Sequence, residues 1–330
     1  MKYILLGGNG FIGKHFKSAL QAGTYINCDI NGGIFEEQFI YLDITKTDSF
    51  DILDLDKNEI YTLVLLAAVH FDFQTKFEKT NVEGLLNTLS YIDRNPNIAK
   101  FVFFSSVAVY SQSDFAITEN SAKTPDNQYG NSKLKGEMLI NEWRKNKEIK
   151  IIIVRPTVVY GEYNFGNVFN LITQIGKKKF FIIGKGDNIK SIAYAKNLVD
   201  SILFLIQNSN QETIVYNYSD FPNLSTLKLC SKIASVLRIN PPGRISYSLI
   251  RPLLICFEIF SKLFGIEMLI NPTRIKKFMR STNIDSSYIR QLGYVQKYST
   301  EQALNNTVEW LKNTPTDYLR EKWYREVSKN

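Results

Sequence analysis

The sequence predicts a doubly wound α/β fold, in which a parallel sheet is covered by helices on both faces. Three observations predict it. The chain opens on a short apolar run, residues 3–6, followed by Gly7, Gly10 and Gly13 and then an apolar-periodic segment. Apolar runs without alternation recur at 63–68, 100–104 and 151–154, as expected for strands buried on both faces. Segments with helical periodicity lie between them, the β-α alternation of right-handed crossovers.

In order, residues 3–6 read as the first strand, and the glycines as a tight turn into a helix. A helix start leaves backbone N–H groups unpaired and carries positive partial charge, so it can hold a pyrophosphate. Residues 24–28 read as the second strand, with Asp29 at its end. An acidic residue about 20 positions beyond a glycine loop binds the adenine ribose of NAD and repels the 2′-phosphate of NADP. No Lys or Arg follows Asp29 closely, so NAD is the expected cofactor. Residues 39–42 form a strand ending at Asp43-Ile44, and 46–55 are predicted helical. Val82, Leu85, Leu86, Leu89 and Ile92 recur at helical spacing after Asn81, read as a polar helix start. Strand 100–104 runs into Ser105-Ser106, helix 128–145 follows, and strand 151–154 ends at Arg155-Pro156. Later come an amphipathic helix around 198–206, a strand at 215–218, a helix at 225–237 and a capped helix at 300–313.

At 330 residues, with 44% hydrophobic and 22% charged residues, the chain can bury a sizeable core. Three scattered cysteines, Cys28, Cys230 and Cys256, exclude a disulfide framework and a thiolate zinc site and suit a reducing compartment. With only His15 and His70, no histidine metal cluster is expected. No signal peptide precedes the first strand, and a cytoplasmic location is expected. The net charge of +8 comes from scattered lysines without a basic, aromatic-interleaved helix. Nucleic acid is therefore not expected, and an anionic small substrate accounts for the balance equally well.

Two stretches carry chemistry. Ser106 ends a central strand, where open α/β sheets place their ligands. Tyr129 and Lys133, four residues apart, share one helical face, so the ammonium can lie near the phenol and lower its pKa toward working pH. Ser106 can hydrogen-bond the reacting oxygen.

These residues resemble an extended short-chain dehydrogenase/reductase of the sugar-nucleotide epimerase/dehydratase type. The matching pieces are GGNGFIG (7–13), Asp29, Asp43-Ile44, LAA (66–68), Asn81 in TNVEG, FFSSVAVY (103–110), YGNSK (129–133), RPTVVYG (155–161) and 184–200. The resemblance implies a Rossmann sheet over residues 1–165. A smaller, interleaved substrate lobe would occupy 166–330, with some segments returning to the sheet. It implies that Ser106, Tyr129 and Lys133 are catalytic. Gly7, Gly10, Phe11, Ile12, Gly13, Asp29, Asp43, Ile44, Ala67, Ala68, Lys133 and Pro156 would bind NAD. Asp43 would reach the adenine, and Ala67, Ala68 and Lys133 the nicotinamide ribose side. His15 and Asn81 would be structural.

Two positions depart from the family pattern. Val107 and Ala108 stand where dehydratases carry an Asp-Glu pair, so dehydration is disfavoured. Lys190 stands where an arginine usually faces the substrate phosphate, supplying charge without a bidentate fork. Arg274 and Arg280 are candidates for the distal phosphate. His70 would touch substrate, and with Asp72 it is either a second acid/base pair or part of a solvated loop.

The function expected is an NAD-dependent epimerase acting on a nucleotide-diphosphate sugar through a keto-sugar, with C4 the carbon oxidised. A keto-sugar reductase of the same family is the alternative. A non-catalytic NAD sensor or scaffold is a reading of another class, which the intact Ser106, Tyr129 and Lys133 disfavour. Residues 252–266 are expected to form an amphipathic helix with a broad apolar face. That helix either packs on the lobe or a subunit partner, with a homodimer expected, or lies in a membrane interface, which would suit a lipid-linked sugar.

Overall fold

Residues 2–6, 25–29, 39–41, 61–65, 98–104, 150–156 and 213–218 lie side by side in one seven-stranded sheet. The structure is a computed structural model that describes residues 1–32, 39–70, 76–145, 147–252 and 279–315. The first half runs β1 (Lys2–Leu6), α1 (Phe11–Ala19), β2 (Tyr25–Asp29), β3 (Phe39–Tyr41), β4 (Tyr61–Leu65), α2 (Gly84–Arg94), β5 (Ile98–Phe104) and α3 (Gln128–Trp143). Then come β6 (Lys150–Pro156), β7 (Val158–Tyr160), α4 (Asn167–Gly176), β8 (Ile182–Ile183), β9 (Ile189–Lys190), β10 (Ile192–Tyr194) and α5 (Ala195–Asn208). The last described elements are β11 (Thr213–Tyr218), β12 (Leu224–Ser225), α6 (Thr226–Leu237), β13 (Arg244–Ile245), α7 (Ser287–Gln291) and α8 (Thr300–Asn313).

The sheet order is β11-β6-β5-β4-β1-β2-β3, and every pair is parallel. The chain leaves β1 toward β2 and β3, then crosses to β4 and continues the other way. The order therefore reverses between β1 and β4, and that is where such sheets open a ligand crevice. Side chains alternate across each strand. Ile4 and Leu6 join Leu85, Leu89 and Ile140 on the α2–α3 face, while Tyr3 and Leu5 join Phe16, Leu198 and Ile202 on the α1–α5 face. A third core, with Val168, Ile172, Leu229, Ile233 and Leu304, unites α4, α6 and α8. β11 pairs with β6 at the edge of the sheet.

Three elements differ from expectation. Residues 46–55 form only a 3₁₀ turn, Thr47–Ile52, because Phe50, Leu53 and Leu55 all reach the core and a single helical face cannot present that spacing. The strand expected at 63–68 ends at Leu65. Leu66 N and Ala67 N both donate to Leu6 O, each at 2.8 Å, which turns the chain out of the sheet into a loop. Asn81 does not start a helix: it lies inside a π-helical turn, Phe77–Glu83, that leads into α2. Asp72, Arg274, Cys256 and residues 253–266 lie outside the described residues.

Candidate active site

The crevice is built first from the glycine loop. Gly7 has φ +91°, and a Cβ there would lie 2.5 Å from Ala67 N, so the loop and the 66–70 segment approach as only glycine allows. Gly13 presses on the Gly8 backbone, and Gly8 itself rests against the Asn27 side chain. The three-glycine spacing therefore leaves out a fourth glycine that the structure needs equally. The N-cap of α1 is Gly10, with no side-chain cap and no acidic residue in the first turn. A helix start left in this state accepts an anion through its N–H groups.

Asp29 is buried at the end of β2. Its Oδ2 accepts from Asn9 N at 2.9 Å and its Oδ1 from Asn31 N at 2.9 Å. Oδ1 also accepts from Asn31 Nδ2 at 3.4 Å, which leaves Oδ2 with a further lone pair for a ribose hydroxyl. Asn9 Oδ1 in turn accepts from Lys17 Nζ at 2.6 Å and Asn27 Nδ2 at 2.8 Å, a network with no signal in the linear sequence. The bare loop, the open helix start and the acidic strand end fit NAD. When bound, NAD supplies a hydride acceptor and a cationic ring. Asp43 Oδ1 accepts from Thr45 N and Thr45 Oγ1, shaping the turn after β3. Ile44 is core, packed on Gly84. Phe11 and Ile12 are partly buried on α1, Ala68 is partly buried on the loop after β4, and Pro156 is buried at the end of β6. Asp29→Ala is expected to weaken NAD binding roughly tenfold to a hundredfold, the worth of a charge-assisted hydrogen bond of about 1.5–3 kcal/mol, and to narrow the gap to NADP. Titrating apo-protein with both cofactors checks this, and an unchanged NAD:NADP ratio contradicts it.

Ser106, Tyr129 and Lys133 meet at this crevice. Ser106 caps the short turn Val107–Val109, its Oγ accepting from Ala108 N at 3.1 Å. A Cβ on Gly130 would collide with Ala108 O, so this glycine lets the turn press on the start of α3. That contact sets Ser106 beside Tyr129, where its hydroxyl opposes the rise in the phenol's pKa. Lys133 Nζ donates to Phe104 O at 2.8 Å and lies 5.8 Å from the Tyr129 ring centroid.

The pKa relation expected from spacing is corrected here. Burial pushes the Tyr129 phenol up to about 12, against the opposing hydrogen bond with Ser106. Burial also pushes Lys133 down to about 7. Removing water penalises both charged forms, and the Lys133 proton is directed at a backbone carbonyl rather than at the phenol oxygen. Burial thus disfavours the charged form of both groups, the Tyr129 phenolate and the Lys133 ammonium.

The surrounding residues fix this pair. Asn81 is buried; its Oδ1 accepts from Val69 N, and its Nδ2 donates to Val69 O and to Ser132 Oγ. It thus clamps the 66–70 loop to α3, a positioning task beyond the structural one expected. His70, at the end of that loop, stacks at a tilt on Tyr129, ring centroids 5.2 Å apart. The crowded cleft, then the nearby Lys133, push its imidazole down to about 4. Its side chain still reaches solvent, so what bears on chemistry is the direction: the ring is neutral at neutral pH. His15 is buried as expected, with Nε2 3.0 Å from Glu162 O.

Beneath the trio lies a buried ion pair. Arg155 Nε and Nη2 donate to Glu137 at 2.8 and 2.6 Å, and Ser105 Oγ donates to the same carboxylate at 2.5 Å. Arg155 Nη1 donates to Tyr110 OH, which donates to Asn217 Oδ1. Glu137 sits one turn beyond Lys133, and the sequence reading passed over it. On the lobe side, Lys190 Nζ donates to Arg280 O at 2.8 Å, and burial pushes Lys190 down to about 8. Arg280 donates to Gln112, so two of the expected phosphate-side cations meet across the loop that follows Ser106.

Residues 3–218 match the NAD-dependent epimerase/dehydratase family model. The chain is 33% identical to an Escherichia coli O157:H7 N-acetyl-α-D-glucosaminyl-diphospho-ditrans,octacis-undecaprenol 4-epimerase, covering 93% of this chain and 94% of that one. It is 22% identical to a Vibrio cholerae UDP-glucose 4-epimerase, again covering 93% and 94%. The crystal structure of a Bacillus cereus UDP-glucuronic acid 4-epimerase in complex with NAD has the same fold, with a TM-score of 0.71 at 21% identity over 98% of this chain and 100% of that one. A crevice at the β1–β4 switch point, fitted for NAD and floored by Ser106, Tyr129 and Lys133, is thus joined to a family match over most of the length, and the chain belongs to the NAD-dependent epimerase/dehydratase family of enzymes.

Proposed function

We propose that the protein is a 4-epimerase for a hexose carried on a diphosphate, the carrier being a nucleotide. The observation that carries this reading is the meeting of Ser106 with Tyr129 over Lys133 at a crevice fitted for NAD. Tyr129, ionised to the phenolate, takes the C4 hydroxyl proton as that carbon becomes a ketone, the hydride from C4 going to the acceptor that bound NAD would supply, and Ser106 Oγ hydrogen-bonds the same oxygen. Lys133, when protonated, favours the phenolate through its nearby charge. The ketone turns in the cleft, and Tyr129 returns the proton once C4 is reduced on its other face. Neutral His70, beside Tyr129, is placed to hydrogen-bond the sugar. Lys190 attracts the diphosphate. Val107 and Ala108 exchange no protons, which leaves the ketone without the acid and base needed for elimination.

A second carrier, a polyprenol, is favoured by the name of the E. coli relative. For this chain, membrane contact through 252–266 would accompany that carrier. Incubation with UDP-N-acetylglucosamine and, separately, with polyprenyl-diphospho-N-acetylglucosamine, without added cofactor, followed by NMR at C4, tests both. Epimer formed with catalytic NAD supports the proposal, and the arm that turns over names the carrier. Product formed only with stoichiometric NADH consumption makes the enzyme a reductase. Turnover in neither arm leaves the sensor or scaffold reading.

A further inference from the structure

The lobe carries a surface that none of the residues named in the site belongs to. Three turns meet there. Lys177, Lys178 and Lys179 follow α4, Phe181 leads into β8, and Arg238 to Gly243 join α6 to β13. The β13–β8 pairing, Arg244 opposite Ile182, and the bond from Ile182 N to Gly243 O at 2.9 Å hold Phe181 against this last turn. Between them lies an open cleft of about 700 Å³ whose lining includes Lys178, Phe180, Phe181, Arg238, Pro241 and Pro242.

Its charge is one-signed. Lys177, Lys178, Lys179, Arg238, Arg244 and Arg251 are all exposed. Segments 163–186 and 221–252 contain no Asp or Glu, and Glu301 of α8 pairs with Lys232 of α6, which does not line the cleft. Two large apolar side chains of these segments are exposed: Phe181, 51%, in the cleft lining, and Leu249, 77%, in the stretch that follows β13. Lys178 and Arg238 hold left-handed backbone conformations, φ +55° and +57°, just past the ends of α4 and α6. Glycine adopts that conformation without strain, so a long cation at both turns keeps charge where backbone geometry alone selects against it.

We propose that this face docks the enzyme on an anionic lipid bilayer, the cations meeting headgroup phosphates while Phe181 and Leu249 enter the acyl boundary. Basic residues at a negative leaflet and apolar side chains beside them are the two components of peripheral binding. A second copy of the chain is a poor occupant, since two-fold pairing of this face would set its cations against themselves. The surface is continuous in sequence with the apolar-rich stretch that follows Pro252. Among the described residues no helix is long and apolar enough to cross a membrane. The inference rests on the diphosphate-sugar reading only for its use, the presentation of a lipid-linked sugar to the cleft.

The test is flotation of the full chain with phosphatidylglycerol–phosphatidylcholine vesicles against phosphatidylcholine alone, without substrate, so that its failure is separate from failure of the epimerase reading. Wild-type protein is expected to float with the anionic vesicles only, and less as salt rises. Each basic residue at such a surface is worth roughly fivefold in partitioning, so Lys177→Glu/Lys178→Glu/Arg238→Glu is expected to lose at least about a hundredfold. Phe181→Ser is expected to lose several-fold. NAD binding and thermal midpoint should stay unchanged in both, and if the triple variant fails to fold, Lys177→Glu/Lys179→Glu/Arg244→Glu replaces it. Wild-type protein left in the bottom fraction, variants that float like wild type, or equal flotation with neutral vesicles each overturn the proposal. So does a face that shifts nucleic acid in a gel but binds no vesicles.

Discussion

Tyr129→Phe is expected to lower kcat about a thousandfold while NAD binding and the fold persist. The expected loss is that of a positioned general acid and base, on the order of 10²–10⁴ in rate. Phenylalanine keeps the ring that packs beside His70 and Phe77 and removes only the hydroxyl that pairs with Ser106. Single-turnover assays with bound NAD check it, and a loss below tenfold would remove Tyr129 from the reaction. Lys133→Met gives a comparable loss with a different stability signature. A lysine held down to about 7 binds fewer protons folded than unfolded between that pH and its ordinary value of 10.5. Stability linked to Lys133 therefore rises with pH across that window and is lost as pH falls through it. Urea denaturation from alkaline to neutral pH is expected to show a flatter decline in Lys133→Met than in wild type. Equal slopes would show that Lys133 is not held neutral by burial.

Glu137→Ala has the largest expected effect on stability, a loss of about 3–5 kcal/mol, because it leaves the Arg155 guanidinium buried without its partner. Arg155 is 2% exposed and Glu137 3%, so water cannot take over. The Ser105 hydroxyl loses its acceptor in the same change, next to Ser106. The double replacement Glu137→Leu/Arg155→Leu is expected to recover much of the loss, since it leaves no unpaired buried charge. Urea midpoints of the three proteins decide the matter: a single variant within about 1 kcal/mol of wild type would mean the pair contributes little.

The sheet was legible because each strand announces itself locally, as runs apolar on both faces between helical periods. The cofactor loop and Asp29 were legible for a similar reason: a turn and a strand end lie close in sequence, at a spacing set by one βαβ unit. Tyr129 and Lys133 follow from the pitch of a single helix. Residues 66–68 read as strand because they continue the apolar β4 pattern, and only the two hydrogen bonds from Leu66 N and Ala67 N to Leu6 O end it.

By itself, then, the sequence determined the strand order's raw material, the preference for NAD and the residues that share the face of α3. Tertiary structure alone decided the contact of Gly8 with Asn27, the clamp of Asn81 on Val69 and Ser132, the pairing of Glu137 with Arg155 and the meeting of Lys190 with Arg280. It also reversed the expected direction for Tyr129. Spacing along a helix reports which groups are neighbours. How far water is excluded from them depends on residues that arrive from distant parts of the chain, and in a buried pair that exclusion, more than proximity, sets where the proton rests.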